Sequence, residues 1–356
     1  MSALRTAVVG CGYQGRLHVS ALAANPDAEV VAVCDRDLPR ARRLAAEFGV
    51  AEVCADHREA IARHDLDLLT VCTMPDSHRE ITVDALAAGA DVLCEKPMAH
   101  NLEDARAMAA AAREHDRLLA IGFNLRYSGA AQALRAALDD GTLGEPVCAR
   151  GSMLETQVPW WGPHQVRAVS GGGAIAATAV HMIDLLMWFA GNPRPLTATA
   201  STTRMYPRKR GATVPEGARE RAYDVEDLAF GHVRFDSGFW LTVEGAWTWD
   251  APGSECSFDF VGDRAQASAA PLRLWRERGG ELIDITGTRV WDIDEEGSVE
   301  AELNEMVAAV RERRPALATA QQALEVQAVV DAIYRSAVAG REVEVADVRT
   351  PVEASQ

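Results

Sequence analysis

The segment Val8-Val9-Gly10-Cys11-Gly12-Tyr13-Gln14-Gly15 constrains this chain more than any other. It closes a short apolar run, Thr6–Val9, and opens a helical pattern, Arg16–Ala24. In a G-x-G-x-x-G so placed, the first glycine permits a tight turn. The second lets backbone approach a pyrophosphate, and the third lets helix pack on strand. The helix N-terminus then offers N–H groups and a partial positive charge to the phosphates. Asp35 ends the next apolar run, about twenty residues further on, where a carboxylate accepts both adenosine ribose hydroxyls and repels a 2′-phosphate. Arg36 beside it can accommodate that phosphate, so NAD is expected and NADP left open. Gly10, Gly12, Tyr13, Gln14, Gly15, Asp35 and Arg36 are therefore the expected cofactor-binding residues of this segment.

The next hundred residues repeat the same rhythm. Val30–Val33, Leu68–Cys72, Val92–Cys94 and Leu118–Ile121 read as buried strands. Between them Pro39–Phe48, Ser77–Ala88 and Leu102–Glu114 read as helices. Such alternation implies a doubly wound parallel α/β sheet, with ligands beyond the carboxyl ends of its strands. After about residue 123 the pattern changes. A helix over Ala130–Asp139 leads into longer strands at Pro146–Glu155, Leu196–Thr203, Asp227–Phe235, Gly238–Trp247 and Ser257–Val261. The turn Phe235-Asp236-Ser237-Gly238-Phe239 has hairpin chemistry, and the succession suggests an antiparallel sheet. Helices are expected over Gly173–Phe189 and Thr319–Val338, and Tyr206–Arg221 is expected to form a mobile loop. Two domains follow: residues 1–122 for the dinucleotide, and 123–356 for substrate binding and oligomerisation.

Composition sets the exclusions. Lys plus Arg is 36 against 52 for Asp plus Glu, a formal charge of −16. That balance opposes nucleic acid and anionic membranes, whose binding rests on cationic side chains. No apolar run reads as a membrane span, and no signal peptide is expected. None of the seven cysteines forms a C-x-x-C pair, so no metal site is expected. Buried thiols in a reducing cytoplasm are the expected reading.

Four further motifs carry a family resemblance: Cys72-Thr73-Met74-Pro75-Asp76-Ser77-His78, Glu95-Lys96-Pro97, Gly122-Phe123-Asn124-Leu125-Arg126-Tyr127, and Gly171-Gly172-Gly173 leading a helix with His181 and Asp184. Together with Asp224-Val225-Glu226-Asp227 and the terminal helix, they resemble the Gfo/Idh/MocA family of oxidoreductases over essentially the whole chain. The resemblance implies a Rossmann domain followed by a C-terminal α/β domain with a large, mostly antiparallel open sheet. It further implies a nicotinamide cofactor, a sugar, polyol or cyclitol substrate, and a homodimer or homotetramer formed through the exposed sheet face. A cis peptide before Pro97 is implied as well.

The residues support an alcohol-oxidising chemistry. Lys96, at a strand end, is placed to take a hydroxyl proton as a base, and a desolvated lysine near a positive ring serves this at a depressed pKa. His181 is the expected relay. The family pattern places an aspartate one helical turn before that histidine, but Ala177 stands there. Thr178 or Glu155 is a candidate replacement, although a hydroxyl cannot take a proton at neutral pH. Asp184 is expected to orient. Thr73, His78, Glu95 and Lys96 are further expected cofactor contacts. Asn124, Arg126, Glu155, Trp161, Thr178 and His181 are the expected substrate contacts, Trp161 as an indole platform for sugar C–H faces.

Three activities fit. The first is an NAD(P)-dependent dehydrogenase of a secondary hydroxyl in a sugar, glycoside or cyclitol. The second, suggested by Ala177, is redox-neutral cleavage or epimerisation with retained cofactor. The third is a non-catalytic dinucleotide sensor.

Overall fold

The computed structural model describes residues 2–206, 222–287 and 295–349. Six strands form the first sheet: β1 (Leu4–Val9), β2 (Ala28–Cys34), β3 (Glu52–Cys54), β4 (Leu68–Val71), β5 (Asp91–Glu95) and β6 (Leu119–Gly122). They pair in the order β3-β2-β1-β4-β5-β6, every pair parallel. That is the doubly wound order whose direction reverses beside β1, the place where such sheets bind dinucleotides. Every residue of β4 and β5 is buried, which explains their continuous apolar runs. The connecting helices are α1 (Tyr13–Ala24), α2 (Leu38–Phe48), α3 (His57–Arg63), α4 (His78–Ala87) and α5 (Leu102–Glu114). Their ends follow local chemistry. The Asp37 side chain accepts from the Arg40 N–H to start α2, and Gly49 ends it in the left-handed region at φ 72°. β3 and α3, both short, escape the periodicity argument.

The second half contains α6 (Gly129–Asp139), β7 (Pro146–Leu154), α7 (Arg167–Ser170), α8 (Val180–Phe189), β8 (Pro195–Thr203), β9 (Leu228–Phe235), β10 (Trp240–Ala246), β11 (Glu255–Gly262), β12 (Gln266–Ala269), β13 (Arg273–Arg278), β14 (Glu281–Asp284), α9 (Glu295–Glu312), α10 (Ala320–Ala339) and β15 (Val343–Glu344). Nine strands make one sheet in the order β14-β13-β12-β11-β7-β10-β9-β8-β15. Only β7 and β10 pair in parallel, so the sheet is mostly antiparallel. Ser237-Gly238 makes the expected hairpin turn, the Gly238 N–H donating to Phe235 O at 3.2 Å. Along β9, Ala229, Gly231, Val233 and Phe235 are buried while Phe230 and Arg234 face outward. The buried face carries α8 and α10, and α10 also packs on α5 of the first unit.

Three expectations need correction. α9 was not foreseen, although Val299, Leu303, Met306, Val307 and Val310 have helical spacing. These side chains pack with Val8, Val33, Leu68 and Leu93, so a helix from the second half completes the first sheet's core. β12, β13 and β14 were also not foreseen. Lastly, the helical stretch Arg167–Phe189 is long and apolar enough by composition to cross a membrane, but 89% of its most apolar window is buried within the protein. It is the central helix of the second unit. The loop expected to be mobile lies, beyond Tyr206, outside the described residues.

Candidate active site

The glycine loop is shaped by close approaches. Gly10 sits at φ 97°, and its N–H donates to Cys34 O at 2.7 Å. A Cβ on Gly15 would run into the Gly10 carbonyl oxygen, whereas one on Gly12 would meet nothing within 4 Å. The space beside Gly12 is therefore open, as an approaching pyrophosphate requires. Gln14 adds a buried side-chain oxygen with no partner among the described residues, and Tyr13 stands 63% exposed at the start of α1. Asp35 ends β2 and fixes the loop itself. Its carboxylate accepts from the Cys11 and Asp37 N–H groups, each at 2.8 Å, with Arg40 at 3.6 Å. Arg36 is exposed. Open glycine backbone, an unanswered amide oxygen and a strand-end carboxylate together fit a dinucleotide.

Beyond the carboxyl ends of β4 and β5 lie the Thr73 and Glu95-Lys96-Pro97 segments. The Lys96–Pro97 peptide is cis, in line with the resemblance. Lys96 Nζ donates to the Ala177 carbonyl at 2.8 Å. Ala177 lies in a π-helical turn, Ile175–Ala179, leading directly into α8. Gly245 lets β10 pass close beneath this turn, for a Cβ there would stand 3.0 Å from that of Ala179. His181, the second residue of α8, is buried and meets Phe123 edge-on at 6.5 Å. Burial first, and the Lys96 charge second, hold its pKa well below the ordinary value, so its ring is neutral. Its Nδ1 has no hydrogen-bond partner among the described residues.

Glu95 is held from both sides. His18 Nε2 lies 3.1 Å from one carboxylate oxygen, and the Lys96 N–H donates to the other at 3.2 Å. Burial alone would raise the Glu95 pKa, but His18 and Lys96 outweigh it and the net direction is down. Thr73 accepts from Ser77 Oγ at 2.8 Å.

The structure corrects several roles. His78 is wholly buried, with Nδ1 3.0 Å from Pro97 O and Nε2 3.1 Å from Thr73 O. It sits between two site loops, its one N–H donating to a carbonyl of one of them, and has no surface to offer a cofactor. Arg126 is likewise sealed. It grips Asp184 bidentately at 2.6 and 2.8 Å, donates to Leu317 O and Gln322, and lies 5.6 Å over the Trp188 ring. With no exposed surface it cannot meet a substrate; it anchors α8, and Asp184 is its partner. Glu155 accepts from Ser254 Oγ at 2.5 Å through Oε2. Thr178 Oγ accepts from Trp247 Nε1 at 2.8 Å, leaving its O–H to donate. Asn124 is 4% exposed and Trp161 80% exposed.

The helix is anchored at its start by Glu226, a residue of the Asp224–Asp227 motif. Glu226 accepts from the Gly173 and Ile175 N–H groups at 3.0–3.1 Å and from Tyr334 at 2.8 Å. Asp227 accepts from the Met205 and Tyr206 N–H groups and from Tyr223. Trp160, Tyr206 and Tyr223 cluster with Val158 and Trp247 against Ala177.

His164 was not singled out by sequence reasoning. It lies edge-on to Trp161 at 5.9 Å. Burial and then the Lys96 charge lower its pKa to about 4. The only signal was a histidine two residues beyond the Trp160-Trp161 pair and Gly162. A surface hollow of about 360 Å³ lined by Arg135, Trp188, Arg314 and Gln322 holds none of the motif residues. No group of three or more His, Cys, Asp or Glu suited to a metal occurs among the described residues.

A parallel sheet with a glycine loop at its switch point, and a lysine facing a histidine-bearing helix beyond it, defines a nicotinamide-dependent oxidoreductase. Residues 4–123 match the GFO_IDH_MocA oxidoreductase family's NAD-binding Rossmann fold, and residues 135–345 its C-terminal alpha/beta domain; the chain belongs to this family. It is 31% identical over 347 residues to the D-glucoside 3-dehydrogenase of Escherichia coli, covering 96% of this chain and 98% of that protein. It is 32% identical over 211 residues to an inositol 2-dehydrogenase of Gluconacetobacter diazotrophicus, covering 58% of this chain and 59% of that one. Among solved structures, GenD2 from gentamicin A biosynthesis in complex with NAD superposes with a TM-score of 0.80 at 28% identity, covering 98% and 97% of the two chains. Levoglucosan dehydrogenase, in complex with NADH and L-sorbose, reaches a TM-score of 0.84 at 22% identity, covering 98% and 100%, a likeness of fold.

Proposed function

We propose that this protein is an NAD-dependent dehydrogenase that oxidises a secondary hydroxyl of a sugar, glycoside or cyclitol. The observation that carries the reading is the Lys96 Nζ, which as the neutral amine is the base, 2.8 Å from the backbone of the π-helical turn that leads into the helix bearing His181. Gly10, Gly12, Gly15, Gln14 and Asp35 would hold the dinucleotide, which supplies the hydride acceptor when bound. Lys96 takes the hydroxyl proton as the carbon gives up its hydride and the carbonyl forms. His181, neutral and buried, accepts or passes that proton. The relatives named above support a polyhydroxylated substrate. The seven free thiols suit a reducing cytoplasm. Self-association through the outer sheet face is part of the proposal, and sedimentation tests it.

Sugars, glycosides and cyclitols should be screened for NAD reduction at 340 nm. Lys96→Met should abolish turnover on any responsive substrate while retaining NAD binding; full activity in that variant refutes the assignment. Ala177 favours a second reading, transient oxidation with retained cofactor. That reading requires turnover without added NAD, and stoichiometric NADH release excludes it.

A further inference from the structure

We infer that His164 is a second imidazole of the substrate site, binding the hydroxyl next to the one oxidised and so selecting vicinal diols. The inference rests on the roles proposed for Lys96 and His181. Its first support is placement. A Cβ on Gly162 would stand 3.2 Å from Cδ2 and Nε2 of His164 and 3.7 Å from Met74 Sδ. Glycine there lets the ring lie beside the loop that follows β4. His78 sits between that loop and Pro97, the neighbour of Lys96. His164 thus enters beside the β4 loop, whereas His181 enters from α8, and the Lys96 charge reaches both rings.

The second support is that the segment is pinned. The Gln165 side chain donates to Pro159 O, and the Gln165 carbonyl accepts from the Asp224 N–H at 3.0 Å. The Arg167 N–H in turn donates to the Asp224 carboxylate at 2.7 Å. The ring is therefore carried on a fixed strap beside the catalytic motifs.

The third support is chemical. A sugar hydroxyl both donates and accepts, and a neutral imidazole offers one of each. Ala177 offers no side-chain acceptor, and the Thr178 oxygen already accepts from Trp247. His164 adds a second ring acceptor to that of His181, where Ala177 brings no carboxylate. A site built to hydrogen-bond a hydroxyl rejects analogues that lack it.

The test is steady-state kinetics on the best sugar or cyclitol and on its analogues deoxygenated at a carbon adjoining the reacting one. Wild type, His164→Phe, His164→Gln and Lys96→Met are compared. Deoxygenation should cost wild type about tenfold or more in kcat/KM, and His164→Phe should raise the sugar KM by about as much. The deoxygenation penalty should vanish in His164→Phe, and His164→Gln should recover part of the affinity. The KM for NAD and the melting temperature should stay unchanged. If His164→Phe keeps the wild-type sugar KM while Lys96→Met is inert, the inference falls and the dehydrogenase reading stands. If wild type turns over no sugar or cyclitol, or Lys96→Met is fully active, both fall together.

Discussion

Lys96 Nζ donates to the carbonyl oxygen of Ala177 across 2.8 Å, joining the nucleotide-binding sheet to the helix of the second unit. The side chain of Ala177 packs against the cluster of Val158, Ala174, Tyr206, Val225 and Trp247. Restoring the family's carboxylate by Ala177→Asp would set a charge beside aromatics and near the lysine. Burying it should cost about 1–3 kcal/mol, and its field favours the protonated lysine. We expect a lower melting temperature, and the pH–kcat/KM limb reporting Lys96 to move to higher pH. An unmoved limb would mean that Lys96 is not the base.

The two later glycines of the phosphate loop should separate folding from binding. Gly15→Ala collides with backbone and should prevent normal folding. Gly12→Ala meets nothing in the protein, at a φ of −78° that alanine accepts. Its methyl would occupy the pyrophosphate's approach. Thermal unfolding without NAD should be unchanged, while calorimetry should find NAD affinity lowered about tenfold or more, since an approach meant for glycine is closed.

Arg126 and Asp184 form a fully buried pair. Removing one partner leaves the other charge uncompensated, so Arg126→Met should cost about 3–5 kcal/mol in a denaturant titration. Arg126→Lys cannot reproduce the two-pronged grip and should also destabilise. If Arg126→Met instead kept its stability and lost only sugar affinity, Arg126 would be a substrate ligand after all.

Glu302 on α9 is 1% exposed, and neither carboxyl oxygen has a partner among the described residues. Burial, followed by repulsion from Glu95, Asp184 and Glu305, raises its pKa well above 4.5. Between those values the native state holds a proton that the unfolded chain has released. Stability from this group therefore falls as pH rises through that window. Glu302→Gln removes the penalty. Its melting temperature should exceed wild type at pH 8 and converge on it near pH 4, and an identical gap at both pH values would refute the neutral carboxyl.

The first sheet was legible because βαβ units write their strands as unbroken apolar runs and their phosphate loop as spaced glycines. Lys96 and His181 were legible through the Glu95-Lys96-Pro97 and triple-glycine motifs. What stayed hidden depends on tertiary pairing. Nothing local tells that Arg126 meets Asp184, or that His78 sits between two loops instead of lining one. His164 was invisible because the Met74 loop that approaches its segment at Gly162 is remote in sequence. α9 was readable in principle, but its partners lie in the first hundred residues.

The carboxylate of Glu226 has one more consequence. The Gly173 and Ile175 N–H groups already bond to it, as does Tyr334. A helix opening behind three glycines looks like a berth for a phosphorylated sugar, yet the protein moors its own acid there. Glu226 thus fills, from within the chain, the anion position that this helix start would otherwise offer.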